Sequence, residues 1–150
     1  MFYGETAITL DGKGRMAIPT RYRDAIAEIC DNRMVFTYSA FDAGCLWLYP
    51  EPEWERVRGE VMQLKTFNEA HRALQRRLVG SASLVEPDGS GRVLIPQALR
   101  EVTGMEKRAV LMGIGTRFEI WNENILAKKR VEEDASLFAQ ASTEMENLVL

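Results

Sequence analysis

Apolar residues in this chain are arranged in two rhythms. Short apolar runs at Ala7–Leu10, Met16–Ile18, Met34–Tyr38 and Cys45–Tyr49 are followed in the second half by Ala82–Val85, Val93–Ile95, Ala109–Met112 and Phe118–Trp121. Runs this short, bounded by glycine, aspartate or proline, predict strands. Asp11-Gly12-Lys13-Gly14-Arg15 and Asp88-Gly89-Ser90-Gly91-Arg92 lie between successive runs. Asp-Gly in that setting is a hairpin signal, because glycine supplies the positive φ of a tight turn. Each hairpin leads into Ile-Pro, and proline at a first helical position predicts short helices over Thr20–Ile29 and Gln97–Val102, the second stopped by Gly104. The Gly113–Gly115 pair reads as another β-turn.

The second rhythm is helical. Trp54, Val57, Val61, Leu64, Phe67, His71, Leu74 and Leu78 recur at spacings of three and four and predict one long amphipathic helix. Val131, Leu137, Phe138, Ala141, Met145 and Leu148 make a weaker stripe near the C-terminus.

These elements occur twice. Residues 11–23 align without a gap on residues 88–100, with identity at Asp11/Asp88, Gly12/Gly89, Gly14/Gly91, Arg15/Arg92, Ile18/Ile95, Pro19/Pro96 and Arg23/Arg100. Two copies of one unit (strand, turn, strand, short helix, strand, strand), each trailed by a longer helix, follow from this repeat. The divisions are 5–52 and 81–124 for the units, 53–80 for the connecting helix, and 125–150 for the C-terminal helix and acidic tail. Strands of four residues bury little alone, so the two units are expected to interlock into one barrel-like core of α+β class.

Charge changes the picture only when it is mapped. The net charge of −3 argues against a polyanionic partner, yet Glu132, Glu133, Asp134, Glu144 and Glu146 stand in a C-terminal stretch that has no base. Residues 1–130 are therefore mildly basic, and Lys13, Arg15, Arg21 and Arg23 follow one another with no acid between them. Binding to nucleic acid is compatible with this distribution. No apolar run reaches the ~18 residues of a membrane span, and no secretory leader is apparent. Cys30 and Cys45 have no paired short spacing and read as reduced thiols of a cytosolic protein.

The doubled D-G-x-G-R…I-P…R pattern closely resembles the MraZ family of bacterial proteins, which carry two SpoVT-AbrB-type units in one chain. The resemblance covers essentially the whole length. It implies a duplicated, swapped-hairpin-type β-barrel formed intramolecularly. It also implies a transcriptional regulator that assembles into a ring and binds short direct repeats in double-stranded promoter DNA. Repression of its own division and cell-wall gene cluster, and a nucleoid location, go with that reading. The family's Asp-x-x-x-Arg motif falls on Asp11…Arg15 and Asp88…Arg92, with Lys13, Arg15 and Arg92 as basic turn residues. Ser90 stands where the first copy has Lys13, which sets the two copies apart.

Each candidate has two readings. Arg15 and Arg92 can grip phosphate or guanine edges with a planar fork, or each can pair with the aspartate four residues earlier and pin the turn. Lys13 is a phosphate contact or a solvated lysine. Arg21, Arg23 and Arg100 lie on the short helices and read as structural ion pairs or as support for the basic face. Gly12, Gly14, Gly89 and Gly91 are explained by turn geometry, since the stretch lacks the spacing and Lys-Ser/Thr ending of a nucleotide loop. The lone His71 has no cysteine or carboxylate cluster, so neither metal binding nor catalysis is expected, and no cofactor is implied. Trp47, Trp54, Trp121, Tyr38 and Tyr49 read as core or subunit contacts. The rival function is a ring-forming interaction protein whose basic turns bind a protein or RNA partner.

Overall fold

A computed structural model describes residues 1–137, 140–141 and 144–149. The described residues form eight strands and five α-helices. In chain order these are β1 (Phe2–Thr9), β2 (Arg15–Ala17), α1 (Thr20–Cys30), β3 (Met34–Tyr38), β4 (Cys45–Pro50), α2 (Glu51–Met62), α3 (Glu69–Leu78), β5 (Ser83–Val85), β6 (Arg92–Leu94), α4 (Gln97–Thr103), β7 (Arg108–Gly115), β8 (Arg117–Asn122) and α5 (Glu123–Glu132). The class is α+β, as the apolar pattern indicates.

The pairing differs from a pair of local hairpins. A six-stranded antiparallel sheet runs β1-β7-β8-β4-β3-β5, and β2 pairs only with β6. The tight turn does close, since the Asp11 amide donates to the Arg15 carbonyl and the Gly14 amide to the Asp11 carbonyl. Beyond it the strands part. β1 lies antiparallel along β7, with Phe2 opposite Gly115 and Thr9 opposite Arg108, while β2 crosses to β6, with Met16 opposite Val93. The hairpin expectation is thus corrected: Asp-Gly fixes a chain reversal, but the partner that completes each strand belongs to the other unit. β5 likewise pairs with β3 of the first unit. The strand order reads the same from either edge when the units are exchanged, so the repeat is a pseudo-two-fold.

Both faces of the sheet are covered, which is why β3 and β4 are nearly continuous apolar runs rather than alternating ones. Phe36, Leu46, Leu48, Leu111, Phe118 and Ile120 meet Met16, Ile18, Val93 and Ile95 from the β2–β6 ribbon, with Tyr22, Ile26 and Leu99 from α1 and α4. Phe118 stacks on Phe2 at 4.2 Å and meets Tyr22 edge-on at 4.9 Å, so both units fill one core. On the opposite face, Val35, Trp47, Tyr49, Val110 and Trp121 pack beneath Trp54, Val61, Leu78 and Leu126 of α2, α3 and α5. Of the aromatics expected inside, Tyr38 is the half-buried one, covered by the Arg77 guanidinium 3.8 Å from its ring.

Four local expectations are corrected. The long helix is two helices: Phe67 is 95% exposed, and the Asn68 side chain accepts from the His71 amide to start α3 afresh. Asparagine is a strong N-cap, and here it outweighs an apolar stripe whose middle residue has no core to face. Pro19 and Pro96 are the cap residues rather than the first helical ones. Gly113 lies inside β7 opposite Gly4, and the reversal comes two residues later, with Ile114 opposite Arg117. The C-terminal stripe is helical but faces no core among the described residues: Val131 in α5, Leu137 in a π-helical turn at Glu133–Leu137, Met145 in a 3-10 turn at Met145–Asn147 and Leu148 are exposed, and Phe138 lies outside the described residues. Gly104 caps α4 with a left-handed φ of 64°, as expected.

Candidate nucleic-acid interface

The β2–β6 ribbon has two different faces. Met16 and Val93 point into the core, as do the flanking Ile18 and Ile95. Alternation along a strand then sends Arg15, Ala17, Arg92 and Leu94 to the outer face. Arg15 is opposite Leu94 and Ala17 is opposite Arg92. The ribbon is extended at both ends by the turns of the opposite unit, because the Ile18 amide donates to the Gly91 carbonyl at 2.9 Å and the Ile95 amide to the Gly14 carbonyl at 3.0 Å.

Each turn is organised by its aspartate. One oxygen of Asp11 accepts from the backbone amides of Lys13 and Arg15, both at 2.9 Å, and the other accepts from Arg15 Nε at 2.8 Å. Asp88 repeats this on the Ser90 and Arg92 amides and on Arg92 Nε at 3.2 Å. The amide of Arg15, joined by its guanidinium and the Lys13 amide, holds the Asp11 carboxyl down at about 2. The Asp88 carboxyl is lowered in the same way, chiefly by the Arg92 amide. Both arginines therefore pair with the aspartate four residues earlier. Only Nε is used in the Arg15 pair, and its two terminal nitrogens have no partner among the described residues.

The copies are not equivalent. Arg92 also reaches across the ribbon to Asp11, with Nη1 3.5 Å from the same oxygen that holds Arg15. Asp11 thus braces both arginines, whereas Asp88 braces one. Lys13 is exposed at its turn, and Ser90 occupies the matching place.

Arg23 and Arg100 make no ion pair among the described residues; they have a common backbone role. Arg23 Nε donates to the Ile18 carbonyl at 2.9 Å and Arg100 Nε to the Ile95 carbonyl at 3.0 Å. Each guanidinium then lies over the glycine of the other unit's turn. A Cβ on Gly14 would stand 2.4 Å from the Arg100 guanidinium carbon, and one on Gly91 would stand 2.6 Å from that of Arg23. Both glycines also have positive φ, 87° and 75°, which an L side chain rarely adopts. The paired identities Gly14/Gly91, Ile18/Ile95 and Arg23/Arg100 are one interlocking contact made twice. Gly12 and Gly89 have open space around them. Arg21 is placed elsewhere, bonded to the Thr6 and Tyr22 hydroxyls and lying 4.7 Å above the Tyr22 ring.

Leu94 was legible only as part of an apolar run, and strand alternation is the signal that would have turned it outward. The contact between Arg92 and Asp11 has no sequence signal, since it spans the two units.

No group of three histidine, cysteine, aspartate or glutamate side chains among the described residues could hold a metal, and no helix there is long and apolar enough to cross a membrane. The Nδ1 of His71 faces the Lys65 carbonyl at 3.3 Å. Cys30 and Cys45 are buried free thiols, both pushed above the usual range by burial.

What the fold and the ribbon define is a class: an internally duplicated α+β chain whose units complete each other's sheet and carry a carboxylate-braced pair of arginines on a short two-stranded ribbon. Comparison with known proteins narrows the class. The family model of the MraZ protein, described as antitoxin-like, matches twice, over residues 1–77 and 78–148. The chain is 57% identical to the transcriptional regulator MraZ of Stenotrophomonas maltophilia over 82% of its length and 83% of the relative's. It is 54% identical to the protein of that name from Xylella fastidiosa over the same shares, and 48% identical to that of Marinobacter nauticus over 81% of each. The chain belongs to the MraZ family. A solved structure from Pyrococcus horikoshii, PHS018, overlaps 81% of this chain and 89% of its own at 15% identity, with a TM-score of 0.34.

Proposed function

We propose that this chain is a sequence-specific DNA-binding transcriptional regulator. Its relatives carry the name transcriptional regulator. The observation that carries the reading is the outer face of the ribbon: two arginines, held at Nε by carboxylates, with the terminal nitrogens of Arg15 free. A two-stranded ribbon fits the major groove, and an arginine fork matches guanine O6 and N7 or a phosphate. Lys13 at the turn adds a phosphate contact, while Arg23 and Arg100 support the two turns from behind. Arg21 contributes charge to the same basic segment.

One ribbon offers few cations, so useful affinity comes from several chains acting together, where linkage raises effective concentration without new contacts. A ring-shaped homo-oligomer on short direct repeats in the promoter of its own division and cell-wall gene cluster meets that need and represses the cluster. The sheet and ribbon together are then the duplicated swapped-hairpin barrel of SpoVT-AbrB type, with β1–β7 and β5–β3 as exchanged pairings. The protein works in the cytoplasm, at the nucleoid.

Fluorescence anisotropy on the duplex upstream of the protein's own gene, against a repeat-scrambled duplex and across salt concentrations, tests this. Wild type is expected to prefer the native duplex. Arg15→Ala should bind roughly tenfold to a hundredfold more weakly with its assembly state unchanged. Equal, weak binding of wild type to both duplexes would leave only polyanion attraction and overturn the reading.

A further inference from the structure

Resting on the DNA reading above, we propose that Leu94 is a specificity-determining residue, an apolar probe that reads the 5-methyl group of thymine beside the base contacted by Arg15. The outer ribbon face holds four side chains in a small patch, Arg15 opposite Leu94 and Ala17 opposite Arg92. Three of them are expected on a surface meant for DNA. Leu94 is not: it is a large aliphatic side chain, 49% exposed, standing among cations while its strand neighbour Val93 is fully buried. Its hydrophobic surface is left open at the place where a groove would sit. In the major groove thymine alone carries an apolar group, and leucine supplies a matching apolar contact.

The pseudo-two-fold sharpens the inference. Exchange of the units brings Arg15 onto Arg92, but it brings Leu94 onto Ala17 and Lys13 onto Ser90. Arg92 is further tied to Asp11, while the terminal nitrogens of Arg15 are free. A ribbon with identical halves would read a duplex equally well in either direction. Here the arginine with the freer fork has the leucine across from it, so the two ends read different chemistry and the chain sits on DNA in one orientation.

The test uses the full chain. Wild type and Leu94→Ala each select sites from a random-sequence duplex library, and each site is rebuilt with deoxyuracil for thymine, which removes only the methyl group. Wild type should select an asymmetric site containing a thymine whose replacement weakens binding about fourfold, the loss of one buried methyl. Leu94→Ala should still bind but lose that sensitivity, at an unchanged melting temperature because the side chain supports no core. The double variant Ala17→Leu with Leu94→Ala should regain a uracil-sensitive thymine at a different position. Equal uracil sensitivity in wild type and Leu94→Ala, or a symmetric selected site, would overturn the assignment to Leu94 while leaving DNA binding intact. A wild type that enriches no site would overturn the DNA reading and this inference together.

Discussion

Asp11 divides its two oxygens between different tasks: one shapes the turn through backbone amides, the other aims guanidinium groups. Because the folded carboxyl titrates at about 2, below the ordinary carboxylate range, its contribution to stability is complete above that range. It is lost as pH falls from about 4 toward 2. Carboxyl-detected NMR titration should place the Asp11 midpoint at about 2. Arg15→Ala should raise that midpoint only part of the way to the ordinary value, since the amides remain and the Arg15 amide is the largest influence. The same experiment on Asp88 should also give a depressed midpoint, by the same amide mechanism. Much of this was legible in the sequence, because Asp-x-x-x-Arg around two glycines states its own geometry. The second arginine on Asp11 was not, because Arg92 lies 81 residues further along, on a strand of the other unit.

At the scale of elements, each strand overlaps its apolar run, and β3 falls on the predicted residues without adjustment, but β1 begins at Phe2, five residues before the run that announced it. Pairing could not be read in the same way. Periodicity records which side of a strand is buried, and turn chemistry records a reversal, but neither names the partner, so β1 and β2 looked like one hairpin. The glycines of the turn test the observed arrangement. Gly14→Ala must adopt a positive φ and displace Arg100 from the Ile95 carbonyl, which should cost at least about 1–2 kcal/mol. For a chain of this size that is a fall of several degrees in melting temperature, measurable by calorimetry. Gly12→Ala, with nothing near its new Cβ, should change the melting temperature far less. If the two variants melt alike, the interlock between turn and arginine is not what holds the ribbon ends.

At the scale of the molecule, the repeat announced two units, and the amphipathic runs announced helices that cover a sheet. The short strands already implied that the units interlock; what the repeat left open was which strands pair across them. The strand order answers this, since β1 has its partner in β7, β3 in β5 and β2 in β6. Residues 1–77 alone should therefore show no cooperative thermal transition as a monomer by circular dichroism, and addition of residues 78–150 should restore one. A first half that melted cooperatively on its own would contradict the shared core. The order of synthesis has its own consequence. Phe2–Thr9 leaves the ribosome about a hundred residues ahead of Arg108–Gly115, the strand it pairs with. At ordinary elongation rates the nascent first half waits on the order of 5–20 s before its sheet can close. Throughout that wait β1 and the core residues of β3 and β4 lack their cover, so a growing chain of this protein is a natural client for chaperones, and two adjacent nascent chains have the chance to trade halves.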